Sequence, residues 1–334
     1  MDIDILQRQP RYGGLLGIEK VTVAYVLFTA LLILLFGSDI REPVRLLTGR
    51  ALVLSGMACT GLFYRLRPCR ATRFLRNLYP LTLLGYWYPD TYEFCQVFPN
   101  LDHLFATADQ RLFGGQPALT FAQVLPGKLW SELFHMGYFS YYPMIFITVL
   151  APLVTDRRLF EPTAFVVLTA FMLYYLIYLF LPVAGPQYYF RAVGPEAVDS
   201  GLFPHLGDYF RYHTELRPSP GPDGFFREMV EQTQASGERP TAAFPSSHVG
   251  MSTVLMLLLW RNRRWLACVA APFYVLLCCS TVYIEAHYLV DVFGGLLTAV
   301  LFYRLCLWLY GRPFFGGARS EPEPTAKKSI INRQ

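Results

Sequence analysis

The chain reads as an all-α bundle of membrane-spanning helices, and three features of its 334 residues carry that reading. The first is composition. With 54% hydrophobic, 16% aromatic and only 16% charged residues, and a mean hydropathy of +0.32, the chain is too apolar for an ordinary soluble domain of this length. The second is segment length, because a helix needs roughly 17 to 25 mostly apolar residues to cross a bilayer. About eight stretches are candidates: 20–37, 49–65, 76–96, 129–154, 161–183, 246–260, 265–284 and 287–310. The third is the placement of arginine. Arg65, Arg67, Arg70, Arg73 and Arg76, then Arg157 and Arg158, then Arg261, Arg263 and Arg264 fall in three connections that the positive-inside rule assigns to the cytoplasm. Eight spans from a cytoplasmic N-terminus satisfy all three and put Arg312, Arg319, Lys327 and Lys328 on the same side, so both termini are expected there.

Along the chain, a polar stretch precedes the first apolar run and no A-x-A-like cleavage site follows, so that run is expected to stay as an anchor. Residues 1–75 hold two spans and the basic cytoplasmic loop; 76–312 form a six-span core. Pro80, Pro89, Asp90 and Glu93 interrupt the third span, and the sixth is short. Two long connections lie on the non-cytoplasmic side. The first, 97–128, contains the turn-rich Leu112-Phe113-Gly114-Gly115-Gln116-Pro117, which suits an interfacial segment or a plain loop. The second, 184–245, is polar, with five arginines, His205 and His213, and its length suits a lid or binding loop. Residues 313–334, rich in Gly, Pro, Lys and Glu, read as a disordered cytoplasmic tail. Seven cysteines, at 59, 69, 95, 268, 278, 279 and 306, lack metal-binding spacing and are expected to be small core residues, with no metal and no disulfide framework. The net charge of +5 gives no reason to expect nucleic acid as a partner.

Residues 265–310 are almost continuously apolar yet about twice one span long, so the chain must turn back within them. The polar cluster there is Glu285, His287 and Asp291, which places the turn at the non-cytoplasmic surface. Pro245-Ser246-Ser247-His248 opens the sixth span on that face, and Gly185-Pro186-Gln187 with Arg191 follows the fifth. His287 and Asp291 are four apart, one above the other on a helical face. A carboxylate that accepts from one imidazole nitrogen leaves the other free to attack or to take a proton. His248 at a helix N-terminus, beside the Ser246 and Ser247 hydroxyls, makes an anion cradle holding a proton donor, which points to phosphorus as the target. The same serines also fit a plain helix cap, and a lone interfacial histidine is often structural. Ionisable groups at span ends tend to be functional, and the plainer alternative to an enzyme is a transporter or lipid-binding protein.

At these residues the sequence resembles the type 2 phosphatidic acid phosphatase superfamily, whose second and third motifs are Pro-Ser-Gly-His and Ser-Arg-x5-His-x3-Asp. Here they read Pro245-Ser246-Ser247-His248 and Ser280-Thr281-x5-His287-x3-Asp291. The resemblance implies that His287 is the nucleophile that becomes phosphorylated, Asp291 orients it, and His248 protonates the leaving oxygen, with no metal or other cofactor. Two departures accompany it. Thr281 stands at the motif arginine, and the first motif, Lys-x6-Arg-Pro, can be laid only on Tyr178-x6-Gly185-Pro186. Arg191 is then the expected substitute cation and Gln187 a neutral donor to substrate, together with Ser246 and Ser247.

The pattern Thr281-Val-Tyr-x3-His287-Tyr-x2-Asp291-x2-Gly-Gly295, with Leu112–Pro117, Trp130-x-Glu132-Leu133 and Tyr138-Phe-x-Tyr-Tyr142, is similar to the inositol phosphorylceramide synthase branch. That branch implies lipid partners in the bilayer: a phosphatidylinositol-like donor and a ceramide-like acceptor, with diacylglycerol released. The alternative with the same nucleophile is a lipid phosphate phosphatase that uses water.

Overall fold

The computed structural model describes residues 7–8, 13–95 and 97–316. Helices form over the apolar runs and break where proline, glycine or a polar connection intervenes. The chain opens with α1 (Gly17–Leu35) and α2 (Pro43–Leu66); the latter starts on a proline, whose missing N–H has no partner to lose in a first turn. The third expected span is two helices, α3 (Arg70–Thr82) and α4 (Leu84–Cys95), which part at Leu83 just after Pro80 removes a ladder donor. The connection 97–128 folds as α5 (Asp102–Phe113) and α6 (Pro117–Val124), joined through Gly114 in a left-handed conformation (φ 73°).

Next come α7 (Lys128–Phe139) and α8 (Tyr141–Thr155), which form one pass bent at Ser140, and the central α9 (Phe160–Phe180). The long polar connection holds α10 (Pro186–Val193), α11 (Pro195–Asp199) and α12 (Phe225–Gly237). Three helices close the fold: α13 (Ser247–Asn262), α14 (Arg264–Tyr283) and α15 (Leu289–Tyr310). No strand occurs among the described residues.

Six passes are long and apolar enough to cross a membrane: α1, α2, α7–α8, α9 with the turn before it, α14 and α15. The remaining two expected spans fall short by that measure. One is the broken α3–α4; the other is α13, whose 16 residues reach roughly 24 Å against a hydrocarbon core of about 30 Å.

The bundle has two chemically distinct ends. At one, the Arg73 guanidinium donates to Glu161 (2.5 and 2.9 Å), Asn262 to Thr163 (3.2 Å) and Lys20 to the Phe314 carbonyl (2.5 Å), so the basic connections meet there. At the other, Asn100 N donates to Gly207 O (3.1 Å), which ties the two long connections together, and Ser131 Oγ of α7 donates to Pro222 O (3.3 Å) in the second.

Helix α9 is apolar all round and buried on nearly every face, as such a helix must be inside a bundle. Helices α4, α8, α13 and α15 pack on it. Helix α13 crosses α15 at Gly250 and Gly295, where a Cβ on Gly295 would lie 2.6 Å from the Ser246 carbonyl. That close approach sets the N-terminus of α13 directly against the first turns of α15. The first four helices are clamped by buried ion pairs, Arg50 with Asp90 (2.7 Å) between α2 and α4, and Arg76 with Glu19 (2.5 Å) between α3 and α1. Removing one partner of such a pair would strand a charge in the core.

Two expectations change. Of the described cysteines only Cys69 and Cys306 are buried, whereas Cys59 and Cys268 face outward from the bundle, where thiols are tolerated in an apolar surround. Residues 313–316 pack against α1 and α9 through Phe315, while 317–334, the rest of the expected tail, lie outside the described residues.

Candidate active site

Three segments distant in sequence meet at the end of the bundle opposite the basic connections. The cap of α13 is the first. Ser246 is its N-cap, its Oγ accepts from Val249 N (3.3 Å) and its carbonyl from Gly250 N (2.9 Å), as its residue type favours. Its own N–H donates to the Asp291 carbonyl (3.1 Å). Ser247 opens the helix and is nearly buried, and His248 follows it.

The second segment is the turn 284–288. His287 does not sit on α15, as four-residue spacing on a helix had suggested. Tyr288 is the N-cap of α15, and the Asp291 Oδ2 in the helix's first turn accepts from Tyr288 N (2.9 Å). The same oxygen lies 3.6 Å from His287 Nδ1, so capping geometry, and not a shared helical face, brings the pair together. Glu285, in the left-handed region (φ 63°), bends the chain so that His287 N donates to the Thr281 carbonyl (3.0 Å).

His287 Nδ1 lies 2.8 Å from the Ala243 carbonyl. A carbonyl only accepts, so this contact puts the proton on Nδ1 and leaves a lone pair on Nε2. Nε2 faces His248 Nδ1 at 3.4 Å, and the rings stand 5.6 Å apart between centroids. The His248 ring is held between Tyr138 (4.5 Å) and Tyr141 (4.7 Å) of the α7–α8 pass. Burial pushes the His287 imidazole down to about 4, against the opposing effect of the Ala243 bond, so the ring is neutral near pH 7. The arrangement therefore offers a lone pair at Nε2 and, within a few ångströms, a second imidazole able to exchange a proton with whatever Nε2 attacks. Asp291 Oδ1, the oxygen away from His287 Nδ1, is buried without a hydrogen-bond partner.

The third segment, 182–187, lies where the first motif would fall. Tyr178, at the lysine position, donates its hydroxyl to the Pro245 carbonyl (2.8 Å) and so ties α9 to the α13 cap. Gly185, at the arginine position, has φ 98°, and a Cβ there would lie 2.7 Å from the Ala286 carbonyl. Thr281, at the second arginine position, is fully buried and donates to Cys278 O (2.9 Å). Each of the three positions is filled by a neutral residue with a structural task.

Of the other expected site residues, Gln187 is buried; its N–H donates to the Glu285 carbonyl (2.9 Å) and its side-chain oxygen accepts from Gln234 (3.2 Å). It joins α10, α12 and the turn 284–288. Arg191 is exposed and donates to the Leu216 carbonyl (2.6 Å), on the rim and outside the histidine pair.

Two residues that motif reading passed over organise the site. Asp102 is completely buried and accepts from Ala184 N (2.6 Å), Gly185 N (2.8 Å), Asn100 Nδ2 (2.5 Å) and the Tyr288 hydroxyl (2.9 Å). Asp109 accepts from Leu289 N (2.8 Å) and Val290 N (3.0 Å), the unpaired donors of the α15 first turn. Burial raises both carboxyls, and the main-chain N–H groups pull them back down. The two are seven residues apart on one face of α5, a spacing that was visible in the sequence and pointed nowhere without its partners. Among the described residues no group of His, Cys, Asp and Glu is arranged to hold a metal ion.

A search of curated proteins and of solved structures returned no match to this chain. The model of one family, described as the PAP2 superfamily, matches residues 103–305, from the first turn of α5 to the last turns of α15. That span is more than half of the chain and contains both histidines, Asp291 and all three neutral substitutions. The chain belongs to the PAP2 superfamily.

Proposed function

We propose that the protein is a membrane phosphotransferase that moves the phosphorylated headgroup of a phospholipid onto a lipid hydroxyl. His287 Nε2 attacks phosphorus, the bond from phosphorus to the diacylglycerol oxygen breaks, and His248 gives that oxygen its proton. The acceptor hydroxyl then attacks the phosphohistidine and returns its proton to His248, and Nε2 is regenerated. Deprotonation of the acceptor by His287 followed by direct attack on phosphorus is the competing route. Asp291 acts through His287 by stabilising the positive charge that grows on the ring. Phosphatidylinositol as donor and a ceramide-type hydroxyl as acceptor are the specific substrates, by likeness to the synthase branch, with the site facing the non-cytoplasmic side and both termini in the cytoplasm.

One observation favours a phosphodiester donor over a phosphomonoester. Tyr178, Gly185 and Thr281 leave the positions that would neutralise a dianion without charge, next to an Asp291 oxygen that has no partner. A monoester dianion brought there would lose its hydration with no cation at these positions to replace it, a larger penalty than a singly charged diester meets.

The test is purified protein given headgroup-labelled phosphatidylinositol with and without ceramide. A ceramide-dependent labelled lipid is expected, lost in His287→Ala. Free phosphate released from phosphatidic acid with no ceramide-dependent product would replace transfer by hydrolysis. Labelled phosphohistidine after a rapid quench separates the covalent route from the direct one.

A further inference from the structure

Beside the histidine pair stands a carboxylate that the mechanism does not use. Glu238 ends α12, its N–H donating to the Gln234 carbonyl (2.8 Å), and lies five residues before Ala243, whose carbonyl holds His287 Nδ1. Its Oε1 accepts from the Tyr88 hydroxyl of α4 (2.6 Å). Among the described residues that is the one hydrogen bond to a group able to accept about four.

Tyr138 connects Glu238 to the chemistry. Its ring lies against His248 (4.5 Å) and packs in one cluster with Val230 of α12, and its hydroxyl is in the field of Glu238. The hydroxyls of Tyr142 and Tyr188 are in the same field, and none of the three has a hydrogen-bond partner among the described residues. Glu238, Tyr88 and His248 are half-buried and Tyr142 is exposed, so these groups line an open recess. Helices α4 and α8 flank it and both pack on α9. Tyr142 stands at its mouth in the first turn of α8, part of a membrane pass, so the mouth faces lipid.

A recess that is polar inside and open to the bilayer suits a lipid carrying a few hydrogen-bond donors on an apolar body. Glu238 bonds neither imidazole, so it is placed for donors near the reacting hydroxyl and not for the proton that hydroxyl loses. Burial holds its carboxyl up at about 7, against the Tyr88 bond and the charge of Arg239, whose guanidinium donates to the Glu238 carbonyl (2.7 Å). A desolvated carboxylate with one bond gains most from an added donor.

We propose that Glu238 is the specificity residue of the acceptor site, and that its free lone pairs, with the Tyr188 hydroxyl beside them, receive an N–H or second O–H that the acceptor lipid carries next to the hydroxyl attacking phosphorus. The acceptor class is then an amide alcohol, and a lipid whose reacting hydroxyl is its sole donor binds without this bond. The inference rests on the phosphotransferase reading and names the residue by which that site selects its acceptor.

The test is binding of a fluorescent short-chain ceramide, and of a matched primary alcohol without amide or second hydroxyl, to the full-length protein in detergent. A His287→Ala background prevents turnover, and transfer by the parent is measured in parallel. Ceramide is expected to bind more tightly than the alcohol. Glu238→Gln should weaken ceramide about tenfold or more, as loss of a charge-assisted bond does, and leave the alcohol within about twofold. Tyr188→Phe should weaken ceramide selectively by less, and it carries the comparison if Glu238→Gln does not fold. Tyr88→Phe, which removes the tether and keeps the carboxylate, should retain the selectivity.

Ceramide binding unchanged in Glu238→Gln, or unchanged selectivity in Tyr188→Phe, would overturn the proposal. So would equal weakening of both ligands by Glu238→Gln, or an equal loss of ceramide in Tyr88→Phe, since a purely structural pair behaves that way. Short-chain diacylglycerol binding with the same dependence on Glu238 as ceramide would overturn the amide alcohol as the ligand. Glu238-dependent ceramide binding in a protein with no transferase activity leaves the recess standing and rejects the proposed reaction, so the two failures are distinguishable.

Discussion

Asp102→Asn changes no motif residue and should still disable the site. The carboxylate accepts four hydrogen bonds in full burial, two on each oxygen: Gly185 N and the Tyr288 hydroxyl on Oδ1, Ala184 N and Asn100 Nδ2 on Oδ2. An asparagine keeps one oxygen and turns an NH2 toward the other pair, so two buried donors lose their acceptor whichever way the amide lies. At about 1.5–3 kcal/mol for each bond to a charged acceptor, the loss is about 3–6 kcal/mol, a large part of the whole stability of an ordinary domain. Asp109→Asn strands only one donor, Leu289 N or Val290 N, and should cost about half as much. The assay is thermal unfolding of the purified protein in detergent, with transfer measured per folded molecule. Asp102→Asn is expected to lower the midpoint by roughly 10 °C, scaling from about 2–4 °C per kcal/mol in mid-sized domains, with a smaller fall for Asp109→Asn. Activity should fall further than folded protein does, because 184–185 and Tyr288 flank His287. A midpoint within about 2 °C of the parent with full activity would refute the reasoning; a lowered midpoint with unchanged activity per folded molecule would make Asp102 structural alone.

Two further outcomes follow from the geometry of His287. Asp291→Asn keeps volume and replaces the carboxyl 3.6 Å from Nδ1 by an amide that orients and stabilises the ring less well, so kcat should fall roughly a hundredfold or more with folded yield unchanged. An equal loss of folded protein would mark Asp291 as structural. The pH profile is the second. His287 titrates near 4 in the fold against an ordinary 6.5, so it must lose no proton to become a nucleophile above about pH 5. The acid limb of kcat/KM should fall near pH 4, and a midpoint between 6 and 7 would contradict the burial argument. The sign for stability is the same: the unfolded chain takes a proton at 6.5 that the fold resists, so stability drops as pH falls from 6.5 toward 4, and folded protein must be monitored alongside activity.

The helical membrane architecture was legible because hydropathy and arginine placement are properties of the sequence alone. His248, His287 and Asp291 were legible for a related reason, being polar residues at fixed spacing in apolar surroundings. The route by which His287 meets Asp291 was not, because it depends on Tyr288 capping α15 and on Ala243, 44 residues earlier, offering its carbonyl to Nδ1. Asp102 and Asp109 were hidden for the same reason. Four of their partners are main-chain N–H groups 82 to 181 residues away, and every residue type but proline carries such a group.

The three neutral positions are better understood as one departure than as three. An arginine side chain at 185 has no room beside the Ala286 carbonyl and would force φ 98° on a residue with a Cβ; at 281 it would enter a fully buried slot; at 178 a lysine would forfeit the hydroxyl bond that fixes the α13 cap. Each substitution therefore serves packing that a cation would disrupt, and restoring any one of them by mutation adds charge at the expense of the geometry that charge would need.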